Sequence, residues 1–176
     1  MLYEFDGKKP VIGKGTYMSE TAVVIGDVKI ATDCYIGHGA ILRGDYGTIE
    51  IGDETAVEEG VIVHAPPQDS CVIGKKVTIG HGAVVHAKTI GDRVTIGTGA
   101  ILSLYSEVAT GSIIGEGAIV RQGQKIPESI VAAGNPARKI REVTQKQKEY
   151  WEWAVQLYVG LARKYLGQGM KRITAP

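Results

Sequence analysis

Ile79-Gly80-His81-Gly82-Ala83-Val84-Val85-His86-Ala87-Lys88-Thr89-Ile90-Gly91-Asp92-Arg93-Val94-Thr95-Ile96-Gly97 is the stretch that decides the fold. Isoleucine followed by glycine occurs in it at Ile79, Ile90 and Ile96, and the residue six after Ile79 is again apolar, Val85. Working outward, the same Ile-Gly pair stands at Ile12, Ile36, Ile51, Ile73 and Ile114. Steps of six connect these into apolar series: Ile12, Met18, Val24, Ile30, Ile36, Leu42; Ile51, Val57, Val63; Ile73, Ile79, Val85; and Ile90, Ile96, Leu102, Val108, Ile114, Val120, Ile126. The fifth residue of each hexapeptide tends to be small or β-branched, as at Thr16, Cys34, Ala40, Ala83 and Ala100. A short strand with a turn every six residues cannot bury its apolar side alone, so successive turns must stack into a solenoid.

Three hexapeptides per coil make a triangular prism with the apolar anchors inside and neighbouring strands about 4.8 Å apart along the axis. The six-residue phase breaks from Leu42 to Ile51, from Val63 to Ile73 and from Val85 to Ile90, and these irregular steps are expected to be loops or trimmed corners. After Ile126 the repeat ends in the turn-rich segment Pro127 to Ala137. A helix then follows, with Thr144 and Gln147 as a capping box and Gly167 as its stop. Trp151, Ala154, Tyr158, Leu161 and Tyr165 give it one apolar stripe. About 22 residues of helix span roughly 33 Å, close to six coils, so the helix should lie along one side of the prism. Residues 1–140 are therefore read as the β-helix and 141–176 as a C-terminal helix packed on it in the same domain.

The composition is that of a single soluble domain: 176 residues, 44% hydrophobic, 22% charged and a net charge of +1. This balance points to neither nucleic acid nor a membrane surface, no run approaches the roughly 20 apolar residues of a spanning helix, and the N-terminus lacks a secretory layout. A cytoplasmic location is expected. Cys34 and Cys71 are too few for a disulfide scaffold and read as buried thiols.

The register places the histidines. His64 follows Val63 and His86 follows Val85, two anchors on the same side one coil apart, so their imidazoles share a lane with a spacing of about 4.8 Å. Two nitrogens on one tetrahedral zinc lie roughly 3.4 Å apart, a gap that side-chain adjustment can close. His81 sits two positions past Ile79, at a corner pointing elsewhere. If the three cooperate, His81 must come from a neighbouring subunit, and equivalent boundaries then close a cyclic homotrimer. Arg43 shares the lane of His64 and His86, with Asp45 beside it; His38 lies two coils from His81 and reads as a surface polar residue.

Leu42-Arg43-Gly44-Asp45, Ile51-Gly52-Asp53-Glu54-Thr55, Val63-His64, Ile79 to His86, Ile90-Gly91-Asp92 and Gly134-Asn135-Pro136-Ala137 together resemble the γ-class carbonic anhydrases and their close homologues, over nearly the whole chain. The resemblance implies the left hand of the parallel β-helix. It implies a metal, zinc with iron or cobalt as alternatives, held by His64 and His86 of one subunit and His81 of the next, and an Arg43–Asp45 ion pair across the trimer interface. The implied reaction is reversible hydration of CO₂ to bicarbonate, with metal-bound hydroxide as attacking group because three neutral imidazoles leave a fourth position open to water. The chain departs from the most active members: Tyr46 follows Arg43-Gly44-Asp45 where they carry a glutamate, and their acidic loop is missing. Glu58 stands where the family has a glutamine and Ala56 where it has an asparagine. Glu58 is a candidate base, and Tyr158 matches a tyrosine that reaches the site from the terminal helix. Two alternatives stay open: a hexapeptide acyltransferase or acyl-CoA thioesterase using one histidine as base, and a non-catalytic, metal-bearing trimeric scaffold.

Overall fold

The computed structural model describes residues 1–171 and residue 173; of the expected 141–176 segment, positions 172 and 174–176 lie outside the described residues. The chain winds as a left-handed parallel β-helix of about seven turns followed by a single α-helix. Its first face stacks Val23–Ile30, Ile41–Ile51, Ile62–His64, Val84–Val85, Ile101–Leu102 and Ile119–Val120. The second runs from Val11–Ile12 through the far ends of the two long strands to Ser70–Ile73, Thr89–Ile90, Glu107–Val108 and Lys125–Ile126. The third stacks Tyr17–Met18, Tyr35–Ile36, Ala56–Val57, Thr78–Ile79, Thr95–Ile96, Ile113–Ile114 and Ile130–Ala133. The six-step anchors fill the interior: Ile36, Leu42, Ile79, Ile96, Leu102 and Ile114 are fully buried. Each such side chain contributes about 1.5–3 kcal/mol of apolar burial.

Corners force the backbone into close quarters. At the turn carrying His81, a Cβ on Gly80 would stand 2.9 Å from the Ile96 carbonyl oxygen of the next coil, and Gly82 has φ +67. Both neighbours of His81 must therefore be glycine for the coil to close this tightly, and the imidazole is thrown outward.

Two expectations need correction. The step from Leu42 to Ile51 is no loop: Ile41–Ile51 is one strand that bends around the corner beside Val23–Ile30, with a register shift between Gly26 and Val28. The bend is possible because Gly26, at φ +75, lies where a Cβ would meet the Gly44 carbonyl oxygen at 2.4 Å. The step from Val63 to Ile73 does contain a turn, through Pro66, Pro67 and Gln68, tied to the long strand by Gln68 N–H donating to the Tyr46 carbonyl at 2.9 Å. The helix spans Gln145–Gln168 and opens on the Thr144–Gln147 capping box. It runs past Gly167; Gly169, at φ 68, is the residue that turns left-handed, and its N–H donates to the Tyr165 carbonyl at 2.9 Å.

Each face presents a different exterior. The third is covered by the helix, whose Tyr158, Leu161, Ala162 and Tyr165 pack on Tyr17, Tyr35 and Ala56. The second is charged, with cross-coil pairs Lys29–Glu50 at 3.4 Å and Lys125–Glu107 at 3.0 Å. The first carries an outward column of Val23, Ile41, Ile62, Val84, Ile101 and Ile119 that no element among the described residues covers, and Ile62 and Ile101 are about two-fifths exposed. Among the described residues, no helix is long and apolar enough to cross a membrane.

Candidate functional site

The histidine lane lies on the first face, one residue beyond the buried anchors. Arg43 pairs with His64 in the parallel ladder, and Val63 with Val85, so His86 follows one coil further on. The two imidazole centroids are 4.7 Å apart and His64 Nδ1 is 2.6 Å from His86 Nε2. Nitrogens that close must share a cation, a proton or a metal. His64 Nε2 meets Asp45 Oδ1 at 3.1 Å, so an N–H donated there leaves the Nδ1 lone pair facing His86. A carboxylate that fixes the tautomer in this way is the usual companion of a metal-binding histidine. Arg43 Nε stands 3.4 Å from Asp45 Oδ2 of the same chain, so the pair expected across the subunit boundary is made within one subunit, two residues apart on one strand; the Arg43 Nη2 lies 3.2 and 3.0 Å from the two ring nitrogens of His64, too evenly placed to be a hydrogen bond to one of them.

The electrostatics suit neutral imidazole ligands. Burial, then the charges of His64 and Arg43, pushes the His86 pKa below its ordinary value of 6.5. Burial alone would raise Asp45, but the His64 hydrogen bond and the Arg43 charge outweigh it and hold the carboxyl below the usual range.

The second group sits at the corner between the third and first faces. His81 is exposed, its Nε2 3.0 Å from Glu58 Oε2 and its Nδ1 2.9 Å from Glu59 Oε2. Glu58 is only 6% exposed and also accepts the His81 backbone N–H at 3.0 Å. Glu59 Oε1 accepts the Tyr35 hydroxyl at 2.7 Å; that bond and nearby charge overcome the burial that would raise Glu59 and keep its pKa low. Tyr158 comes down from the helix, its phenol pushed well above the ordinary value by burial and by the neighbouring Glu58 carboxylate. The structure thus gathers Arg43, Asp45, His64 and His86 in one cluster and His81, Glu58 and Tyr158 in another. Among the described residues of one chain, no three His, Cys, Asp or Glu side chains are placed to hold an ion.

Sequence reading missed Glu59 and Tyr35, although Glu59 occupies the His38–His81 lane one coil from each and the register alone would have placed it there. His38 is not a surface residue: it is half-buried, with Nδ1 2.7 Å from the Ser19 hydroxyl and its ring edge-on to Tyr165. Tyr46 is 72% exposed, and it joins the first cluster through its backbone N–H, which donates to Asp45 Oδ1 at 2.9 Å.

His86 is held below its unfolded value, so the folded chain binds its proton less readily than the unfolded one; its stabilisation is complete above pH 6.5 and is lost as pH falls through the folded value. Asp45 and Glu59 add losses of the same sign at lower pH, below 3.8 and 4.5 respectively. The metal-free protein should show a Tm that declines from about pH 6.5 downward; a Tm constant or rising on acidification to pH 4 would contradict these assignments.

Fold and histidine lane together define a hexapeptide-repeat β-helix protein with paired imidazoles on one face. Over 177 residues the chain is 34% identical to gamma carbonic anhydrase 1, mitochondrial, of Arabidopsis thaliana, which covers 97% of this chain. It spans 64% and 63% of the length of the two plant relatives it matches. It is 30% identical over 173 residues to the carnitine operon protein CaiE of Escherichia coli, covering 90% of this chain and 85% of that protein. A crystal structure of a hexapeptide transferase family protein from Anaplasma phagocytophilum superposes with a TM-score of 0.89 at 31% identity, covering 94% of this chain and 98% of the other. No family model matches. The chain belongs to the γ-carbonic anhydrase-like hexapeptide-repeat family.

Proposed function

We propose that the chain is a γ-class carbonic anhydrase that works as a cytoplasmic homotrimer, with His64 and His86 of one subunit and His81 of the next holding a divalent metal, zinc or alternatively iron or cobalt. The observation that carries this reading is the separation of the histidines. Two imidazole nitrogens meet at 2.6 Å on the first face, while a third imidazole projects from a corner of the same coil, too far round the prism to join them. The uncovered column from Val23 to Ile119 supports assembly, because it runs beside the paired histidines and a second copy is the surface that would bring a foreign His81 to them.

The donor set fits a metal: two imidazoles, one with its tautomer set by Asp45, and a third, exposed imidazole that presents a lone pair once it gives up one of its two carboxylate partners, Glu58 or Glu59. When bound, the metal supplies Lewis acidity that brings the pKa of water to about 7. The chain's own residues do the remainder. Arg43 neutralises Asp45 and Asp45 orients His64. Glu58, buried beside His81 where the family has a neutral amide, takes up the proton released on hydration, and Tyr158 keeps its own proton and orients the Glu58 carboxylate. The proton must then leave without a glutamate at position 46, which predicts turnover limited by buffer.

The test is metal removal and return. Protein stripped by chelator should hydrate CO₂ at background rate, and reloading under anaerobic conditions with Zn²⁺, Fe²⁺ or Co²⁺ should restore turnover that rises with buffer concentration. Full metal occupancy without turnover would favour the non-catalytic scaffold. Release of coenzyme A from acetyl-coenzyme A would favour acyl transfer, the reading that the likeness to the Anaplasma phagocytophilum hexapeptide transferase family protein supports.

A further inference from the structure

The histidine lane does not end at His86. Val85 pairs with Leu102 and Leu102 with Val120, so Ser103 and then Arg121 follow in the same lane at steps of about 4.8 Å. The backbone keeps this order: His86 N–H donates to the Leu102 carbonyl at 2.8 Å and Ser103 N–H to the Val120 carbonyl at 2.9 Å. Where a further coil would stand, the exit segment takes its place. Ala137 is fully buried and its N–H donates to the Ile119 carbonyl at 2.8 Å, so Arg138 comes to the same groove as Arg121. Gln124 clasps the two segments together. Its Oε1 accepts the Arg121 backbone N–H at 3.0 Å, and its Nε2 donates to the Ala137 carbonyl at 2.8 Å.

Ser103, Arg121, Gln124 and Arg138 line one open groove of about 700 Å³. Its charge is one-sided, with two guanidinium groups and, among the described residues that line it, no carboxylate. Arg43, at the other end of the lane, has Asp45 at 3.4 Å; Arg121 has no such companion in the groove. Glu142, on the strand of Arg138, is engaged by Lys139 instead. Two cations that share a groove repel each other until an anion lies between them, and a cleft of one sign gathers counter-ions. A guanidinium offers parallel N–H donors in a fork that matches the two oxygens of a carboxylate.

We infer that this groove binds a small planar oxyanion of carboxylate type, taken by the forks of Arg121 and Arg138 and by the Ser103 hydroxyl. In the proposed reaction that anion is bicarbonate; this identity rests on the carbonic anhydrase reading, whereas the site itself rests on the groove. Ser103 stands one coil from His86. An anion formed at the paired histidines therefore meets the groove as the next positive site along the lane, and its removal there frees the histidines for another turnover. All of the lining side chains belong to one chain, so binding does not wait on assembly.

The test uses the full-length chain stripped of metal, so that no metal-held anion contributes. Carbon-13 bicarbonate, followed by its NMR line width, should bind saturably in the millimolar range, and acetate should displace it. Arg121→Gln and Arg138→Gln, both exposed changes, should each weaken bicarbonate by about tenfold or more with circular dichroism unchanged. Lys29→Gln removes the same charge from the second face and should leave the affinity as it was. Absence of saturation, unchanged affinity in both arginine variants, or an equal loss in Lys29→Gln would overturn the inference. So would inorganic phosphate binding more than about tenfold tighter than bicarbonate, which would reassign the groove to phosphoryl groups. Turnover by the reloaded protein without saturable binding would sink the groove and leave the proposed activity standing; saturable binding without turnover would do the reverse.

Discussion

His81→Ala is expected to reduce CO₂ hydration to background and to lower metal affinity by more than about 100-fold, since even the outer partners of a metal ligand are worth 10–100-fold. The fold should survive the change. The side chain is 54% exposed and its ring nitrogens meet Glu58 and Glu59 at the surface, so its loss opens no cavity in the solenoid, and the neighbouring glycines set the corner without it. Metal content by elemental analysis, CO₂ hydration by stopped flow and far-UV circular dichroism would be measured together. Activity retained with full metal occupancy would remove His81 from the site and with it the need for a second subunit.

The second large effect concerns the uncovered column. Ile101→Asp, or Ile62→Asp, should convert the proposed trimer to monomer and abolish turnover while leaving each chain folded. Both side chains point outward from the first face, so the substitution costs the isolated coil little. In an assembly the same carboxylate is desolvated at every subunit boundary without a partner, at several kcal/mol each. Light scattering would report the mass and circular dichroism the fold. A trimer that tolerates aspartate at both positions would place the interface on another face. The second and third offer poorer surfaces, because one is paired by charge and the other is capped by the helix.

Much of this architecture is legible in the residues, for a physical reason. A parallel coil closes only when the same step recurs, so the anchors from Ile12 to Ile126 carry the three faces, and the residue after Val63 or Val85 must project beside its counterpart one coil away. That is why the lane of His64 and His86 can be read without coordinates. The apolar column is equally readable, as the residue before each first-face anchor, because neighbours along a strand point to opposite sides and the outward position repeats with the buried one. What could not be read depends on contacts between coils rather than along them. Continuation of the strand through Ile41–Ile51 needs Gly26 to stack on Gly44, and neither glycine announces that alone. Gly167 and Gly169 are indistinguishable as stops until Gly169 takes the left-handed turn. His38 looks exposed in the repeat, and only the return of the helix to Tyr17 and Tyr35 brings Tyr165 over it.

One mixing experiment bears most directly on the shared site. His81→Ala and His86→Ala subunits, each inactive alone, are unfolded together and refolded at equal concentration with metal. In a cyclic trimer every mixed assembly contains one boundary with an intact His81 facing an intact His64 and His86, so statistical mixing should recover roughly a quarter of wild-type activity. No recovery from mixed trimers of verified composition would mean that the three imidazoles never meet across a boundary, and the proposed chemistry would have to be abandoned.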